Sequence, residues 1–170
     1  MDKRLLDALN TQLYEEMNSA YLYLSMSSDM KVKNWKGASQ WFQIQVSEES
    51  AHAMKFYHYM HDRGEQPVLP SFEKPQAAWD TMLDAFEATL THERHISSCI
   101  HKLVDLAREV GDHATESFLQ WFVTEQVEEE ANADEIVQQI KMFGDTPQAT
   151  FMLDRELGSR QDNSANSAAE

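Results

Sequence analysis

Apolar residues in this chain recur at alternating steps of three and four over four long stretches. That is the spacing of a helix face buried against other helices. The first seam runs Leu6, Leu9, Leu13, Glu16, Ala20, Tyr23, Ser27 and the second Phe42, Val46, Glu49, Ala53, Phe56, Met60. The third runs Leu83, Phe86, Leu90, Glu93, Ser97, Ile100, Val104 and the fourth Phe118, Phe122, Glu125, Glu129, Asn132, Ile136, Ile140. The pattern predicts five helices, over about 3–32, 36–63, 78–110, 113–143 and 146–157. Gly64, Gly111, Gly144 and Gly158 each follow a run of helix formers and read as C-terminal stops. Pro147, after Asp145 and Thr146, reads as the first turn of a short fifth helix.

The links after the first and third helices leave room only for antiparallel turns. Segment 65–77, with Pro67, Pro70 and Pro75, is long enough to run the length of a bundle when extended. No stretch shows the alternation of a strand. The expected fold is all-α: a four-helix bundle of two antiparallel hairpins with a long crossover, plus a short fifth helix. Residues 1–158 form the domain, and 159–170 (SRQDNSANSAAE) are expected to be a disordered polar tail.

Every seam is apolar until a glutamate interrupts it near the helix midpoint: Glu16, Glu49, Glu93 and Glu129. Midpoints of an antiparallel bundle share one height, so four carboxylates converge on one level of the core. Left bare they would repel, and each would cost several kcal/mol to desolvate. Either they are protonated and hydrogen-bonded, or cations neutralise them. His52 favours cations, because Glu49-Ser50-Ala51-His52 is an E-x-x-H motif that sets carboxylate and imidazole on one helical face. Oxygen donors with one nitrogen suit iron, manganese or zinc better than calcium or magnesium. Two divalent ions would balance the four glutamates.

Charge points the same way. The 170 residues carry 14 Lys and Arg against 29 Asp and Glu, a formal charge of −15. That balance argues against nucleic acid and an anionic membrane as partners. A single cysteine, Cys99, leaves no intrachain disulfide framework and no cysteine zinc cage, and points to a reducing compartment. The opening segment does not read as a signal peptide, and no stretch reaches the ~18 apolar residues of a membrane helix. A cytoplasmic location is expected.

The motifs LNTQLYEEMNSAYLYLSM, EESAHAMKFYHYMHDRG, THERHI and WFVTEQVEEE resemble those of the ferritins, of the bacterial non-haem type, over residues 1–158. The resemblance implies iron storage and detoxification: oxidation of Fe(II) to Fe(III) by dioxygen or hydrogen peroxide, with ferric mineral kept in a hollow cage of 24 subunits. It implies that Glu16 and His52 hold a first iron, Glu93 and Glu129 a second, and that Glu49 bridges them. Gln126 borders the pair, and a third iron position maps onto Glu48, Glu125, Glu128 and Glu129. Tyr23 is implied as a hydrogen-bond donor and electron source beside the irons; a core tyrosine with a satisfied hydroxyl remains the alternative. Glu116 maps to a pore at the start of the fourth helix, where the next acidic position of the family falls on Leu119. A non-storage di-iron oxygenase or peroxide reductase is the alternative function, but such enzymes usually carry a second E-x-x-H, and here Asn132 follows Glu129. The remaining histidines have no carboxylate partner at consistent helical height and are expected to be surface or ordinary packing residues. Trp35, Trp41 and Trp79 are candidates for a subunit interface.

Bacterioferritins bind haem through a methionine between the E and H of helix two, where this chain has Ser50 and Ala51. No haem is therefore expected. Protein expressed with ample iron and haem precursor should purify without a Soret band, and a stoichiometric Soret absorption would overturn the non-haem reading.

Overall fold

The computed structural model describes residues 1–69, 71–144 and 146–161. Five helices follow one another: α1 (Lys3–Val32), α2 (Lys36–Asp62), α3 (Met82–Glu109), α4 (His113–Phe143) and α5 (Pro147–Leu157). No strand occurs among the described residues. The α1–α2 and α3–α4 pairs are the two hairpins, and α1 also packs on α3. The first turn is tight because Asn34 takes the left-handed conformation, with φ of 66°. Residues 162–170, most of the expected polar tail, lie outside the described residues.

α3 starts at Met82 and not near 78, because Thr81 and Asp84 form a reciprocal capping box that fixes its first turn. The preceding segment instead runs extended along α1. The Val68 amide donates to Asn10 Oδ1 at 2.7 Å, and the Phe72 ring stacks on Tyr14 with centroids 5.5 Å apart. Ser25 Oγ donates to the Gln76 carbonyl at 2.6 Å and the Trp79 amide to Asp29 Oδ2 at 3.0 Å. From Asn10 to Asp29 these ties cover roughly 28 Å of helix at about 1.5 Å per residue.

The core has two apolar halves. One contains Leu5, Leu9, Leu13, Phe56, Ile100, Leu119 and Phe122; the other contains Met26, Met30, Phe42, Phe86, Ile136 and Ile140. Trp41 and Trp79, candidates for an interface on sequence, are buried in the second half, and Trp35 packs against it. In α4 the seam runs through Ala133 and Val137, whereas Asn132 is exposed. Between the halves lies a buried polar layer: Gln12, Glu16, Ser19, Gln45, Glu49, His52, Glu93, Ser97, Gln126 and Glu129.

α5 closes the second half by laying Leu153 and Leu157 on it. Its approach to α2 depends on Gly37. A Cβ on Gly37 would sit 1.5 Å from the Asp154 carbonyl oxygen, and the Ala38 amide donates to Asp154 Oδ1 at 2.9 Å. Gly37→Ala should force α5 off its seat. The expected cost is about 1–3 kcal/mol, as for other overpacked sites. It should be seen as a lower thermal midpoint and faster amide exchange confined to α5 and the start of α2. Unchanged exchange in α5 would refute the close-approach role.

Candidate metal centre

The polar layer draws side chains from all four long helices. Glu16 comes from α1, Glu49 and His52 from α2, Glu93 from α3 and Glu129 from α4, and none is more than 4% exposed. Glu16, Glu49 and His52 each offer a ligand atom, and these atoms lie within 4.8 Å of one another. The three-residue step from Glu49 to His52 places His52 Nδ1 3.4 Å from Glu49 Oε2.

Neutral donors fix the carboxylates. Gln12 Nε2 donates to Glu16 Oε1 at 2.8 Å, and Gln45 Nε2 to Glu129 Oε2 at 2.9 Å. Gln126 Nε2 lies 3.2 Å from Glu93 Oε2 and 3.2 Å from the Glu93 carbonyl oxygen. The Tyr23 hydroxyl donates to Glu93 Oε1. Tyr23 therefore satisfies its hydroxyl on a carboxylate of the layer itself. Gln126 was legible as a neighbour of the site. Gln12 and Gln45 were not, although Gln12 stands one helical turn before Glu16.

Two buried polar atoms have no hydrogen-bond partner among the described residues: Glu16 Oε2 and His52 Nε2. The nearest carboxylate to His52 Nε2 is Glu125 Oε1, 3.8 Å away and beyond hydrogen-bond range. Native proteins rarely leave such atoms unpaired, and orphans amid carboxylates fit a cation that supplies the missing partner. Trp121 packs edge-on against the His52 ring with centroids 5.3 Å apart, and Lys55 Nζ sits 4.0 Å over the indole.

Electrostatics records the strain of the layer. Burial, then the charge of Glu49, holds the Glu16 carboxyl well above its ordinary range. Burial, then the charges of Glu93 and Glu129, does the same to Glu49. Glu93 is raised by burial against the opposing hydrogen bonds from Tyr23 and Gln126. Burial, then Glu93 and Glu48, pushes Glu129 up to about 8. Tyr23 is also held well above its usual value, first by burial and next by Glu93.

The outer glutamates differ from one another. Glu48 is half-buried and paired with Arg160, Glu125 is half-buried near His52, and Glu128 is exposed. Two of the remaining histidines lie near carboxylates on exposed faces, as surface residues: His95 Nε2 is 3.5 Å from Glu15 and His113 Nδ1 3.7 Å from Glu116. The His92 ring is depressed to about 4 by burial and contacts Ser19 Oγ at 2.7 Å. Glu116 pairs with Arg108 at 2.7 Å, and Leu119 points into the core, fully buried.

A bundle of two long hairpins with a crossover and a carboxylate–histidine layer at mid-height defines a class. The ferritin-like domain model matches residues 6–143, and the chain belongs to that family. It is 39% identical over 160 residues to a bacterial non-heme ferritin of Bacteroides fragilis, covering 94% of this chain and 99% of that one. It is 33% identical over 163 residues to one of Staphylococcus epidermidis, covering 96% and 98%. Its fold superposes on an open-pore ferritin from the hyperthermophilic archaeon Archaeoglobus fulgidus with a TM-score of 0.93 at 43% identity, covering 95% and 99% of the two chains.

The raised carboxyls set a pH dependence for the metal-free protein. An acid whose folded pKa exceeds its unfolded value of about 4.3 binds more protons folded than unfolded between the two, so stability falls as pH rises through that window. For Glu129 the window runs up to about 8. Chelator-treated protein should therefore show a falling thermal midpoint from about pH 5 to pH 8, and a saturating divalent cation should remove most of that slope. A flat metal-free profile in calorimetry would contradict the geometry.

Proposed function

We propose that this chain stores and detoxifies iron, oxidising Fe(II) to Fe(III) at the mid-bundle cluster and keeping the ferric product inside a homo-oligomeric cage. The observation that carries the reading is the meeting of Glu16, Glu49 and His52 with two unpartnered buried atoms, next to Glu93 and Glu129. Iron is the substrate. Two ferrous ions each lose one electron, and dioxygen, or hydrogen peroxide in its place, takes both electrons with two protons. Hard carboxylate oxygens favour the ferric product over the ferrous reactant.

The residues divide the work. Glu16 and His52 would hold one iron and Glu93 with Glu129 the other, with Glu49 between them. Only the first position has a nitrogen ligand, so the second holds its iron more loosely and releases it toward storage. Gln12, Gln45 and Gln126 hold one oxygen of Glu16, Glu129 and Glu93 respectively. Glu48, Glu125 and Glu128 would receive a third iron with Glu129; in support, the charge of Glu48 acts on both Glu49 and Glu129. The exposed Asn132, in place of a second E-x-x-H histidine, favours storage over oxygenase or peroxide-reductase chemistry.

Assembly into a cage, of 24 subunits as the resemblance implies, is supported by apolar side chains left in solvent near the α4–α5 junction. Met142, Phe143, Phe151 and Met152 are all more than half exposed. Such a patch marks a protein interface more often than a free surface. A cytoplasmic location goes with this reading. No helix of the described residues is long and apolar enough to cross a membrane.

Glu49→Ala removes the side chain shared by both halves of the cluster. Rapid ferrous oxidation, followed by stopped-flow absorbance, should slow at least tenfold while the oligomer mass stays that of wild type. Wild-type rates in an intact oligomer would exclude the assignment.

A further inference from the structure

Two residues beyond the C-terminal stop of α5, Arg160 folds back over the acidic edge of the site. Its Nη2 donates to both Glu48 oxygens, at 3.0 and 2.7 Å, and its Nη1 donates to Gln45 Oε1 at 2.5 Å. The guanidinium also lies 5.1 Å from the Trp41 ring centre. Gln45 in turn donates through Nε2 to Glu129 Oε2. Arg160 and Glu129 therefore face opposite ends of one amide. A guanidinium only donates, so Gln45 must turn its oxygen to Arg160 and its NH2 to Glu129.

We propose that Arg160 is a displaceable latch on the metal centre. It neutralises Glu48 and, through Gln45, holds Glu129 in place for the paired cations. A further divalent cation reaches Glu48 only when the guanidinium leaves. This rests on the reading of the cluster as an iron site. Two observations carry it. Arg160 occupies both oxygens that Glu48 would offer a cation. Arg160 also has somewhere to go. It borders a groove of about 200 Å³ between α4 and α5 that is lined by Glu135 and Glu156. Swinging there exchanges one carboxylate partner for others, so the latch opens without leaving a bare cation.

The latch gives changes of opposite sign that a loss of folding would not. Without Arg160, both Glu48 oxygens lose the guanidinium while Glu129 loses its fixed orientation. Metal-free wild type, Arg160→Ala, Arg160→Lys, Glu48→Gln and the Glu48→Gln/Arg160→Ala double variant should be titrated with Zn²⁺ by calorimetry. Anomalous diffraction from Zn²⁺-soaked crystals then places each ion. Arg160→Ala should bind the ion at Glu48 at least tenfold more tightly, because two charge-assisted hydrogen bonds no longer have to be given up. It should bind the ion at Glu93 and Glu129 less tightly. Arg160→Lys should fall between it and wild type, and in the Glu48→Gln background the gain at position 48 should vanish. Unchanged affinity at Glu48, or a uniform weakening of all ions with a lower thermal midpoint, would reduce Arg160 to a tether for α5 and overturn the latch. Failure of wild type to bind Zn²⁺ at the Glu16–Glu49–His52 cluster would overturn the latch and the iron reading together.

Discussion

The desolvation of like charges at the middle of the bundle governs the rest of the structure. Four carboxyls and an imidazole are shut between two apolar half-cores, where an unpaired charge costs several kcal/mol. The surroundings partly meet this cost with amides: Gln12, Gln45 and Gln126 each satisfy one carboxylate oxygen with a neutral donor. A lysine or arginine in those places would have cancelled the charge and closed the site to cations. An amide fixes the geometry and leaves the charge in place. The layer is thus held in one geometry while its charge stays uncancelled, an arrangement that suits a cation.

Much of this was legible in the sequence because the glutamates interrupt otherwise apolar seams at one height, and a buried charge in such a seam demands an explanation. Helix periodicity was less exact further from the midpoints. In α4 the true seam drifts from Asn132 to Ala133, as a 3.6-residue turn drifts against a 3.5-residue repeat. The start of α3 was set by a side-chain exchange between Thr81 and Asp84, and the apolar pattern alone extended the helix past it. Gln12 and Gln45 were hidden for a different reason. A glutamine beside a seam has no distinctive spacing, and its role depends on a partner that for Gln45 lies on another helix. Arg160 was hidden because a polar tail carries no periodicity at all.

Gly37 illustrates a residue whose meaning is wholly tertiary. In the chain it stands three residues after Asn34, the left-handed residue of the first turn. In the fold it is a helical residue whose missing side chain lets the α5 backbone approach α2. The same contact places Gly158 against Gly37 and sends the chain back toward Glu48, so a small residue at the start of α2 sets where Arg160 can reach. Membership of the ferritin-like family describes the bundle and the layer; these C-terminal contacts concern how this chain finishes the layer's edge.

The polar layer is also divided between the hairpins. Glu16, Glu49 and His52 belong to the first, Glu93 and Glu129 to the second, and each hairpin is built from contacts close in sequence. Such local units form quickly, whereas their docking closes the long crossover. The like charges of the two halves first meet at that docking step. Their repulsion therefore bears on how fast the chain folds as well as on how stable it is. A divalent cation bound between the halves at that step would lower the barrier, so ion occupancy and folding rate would be linked.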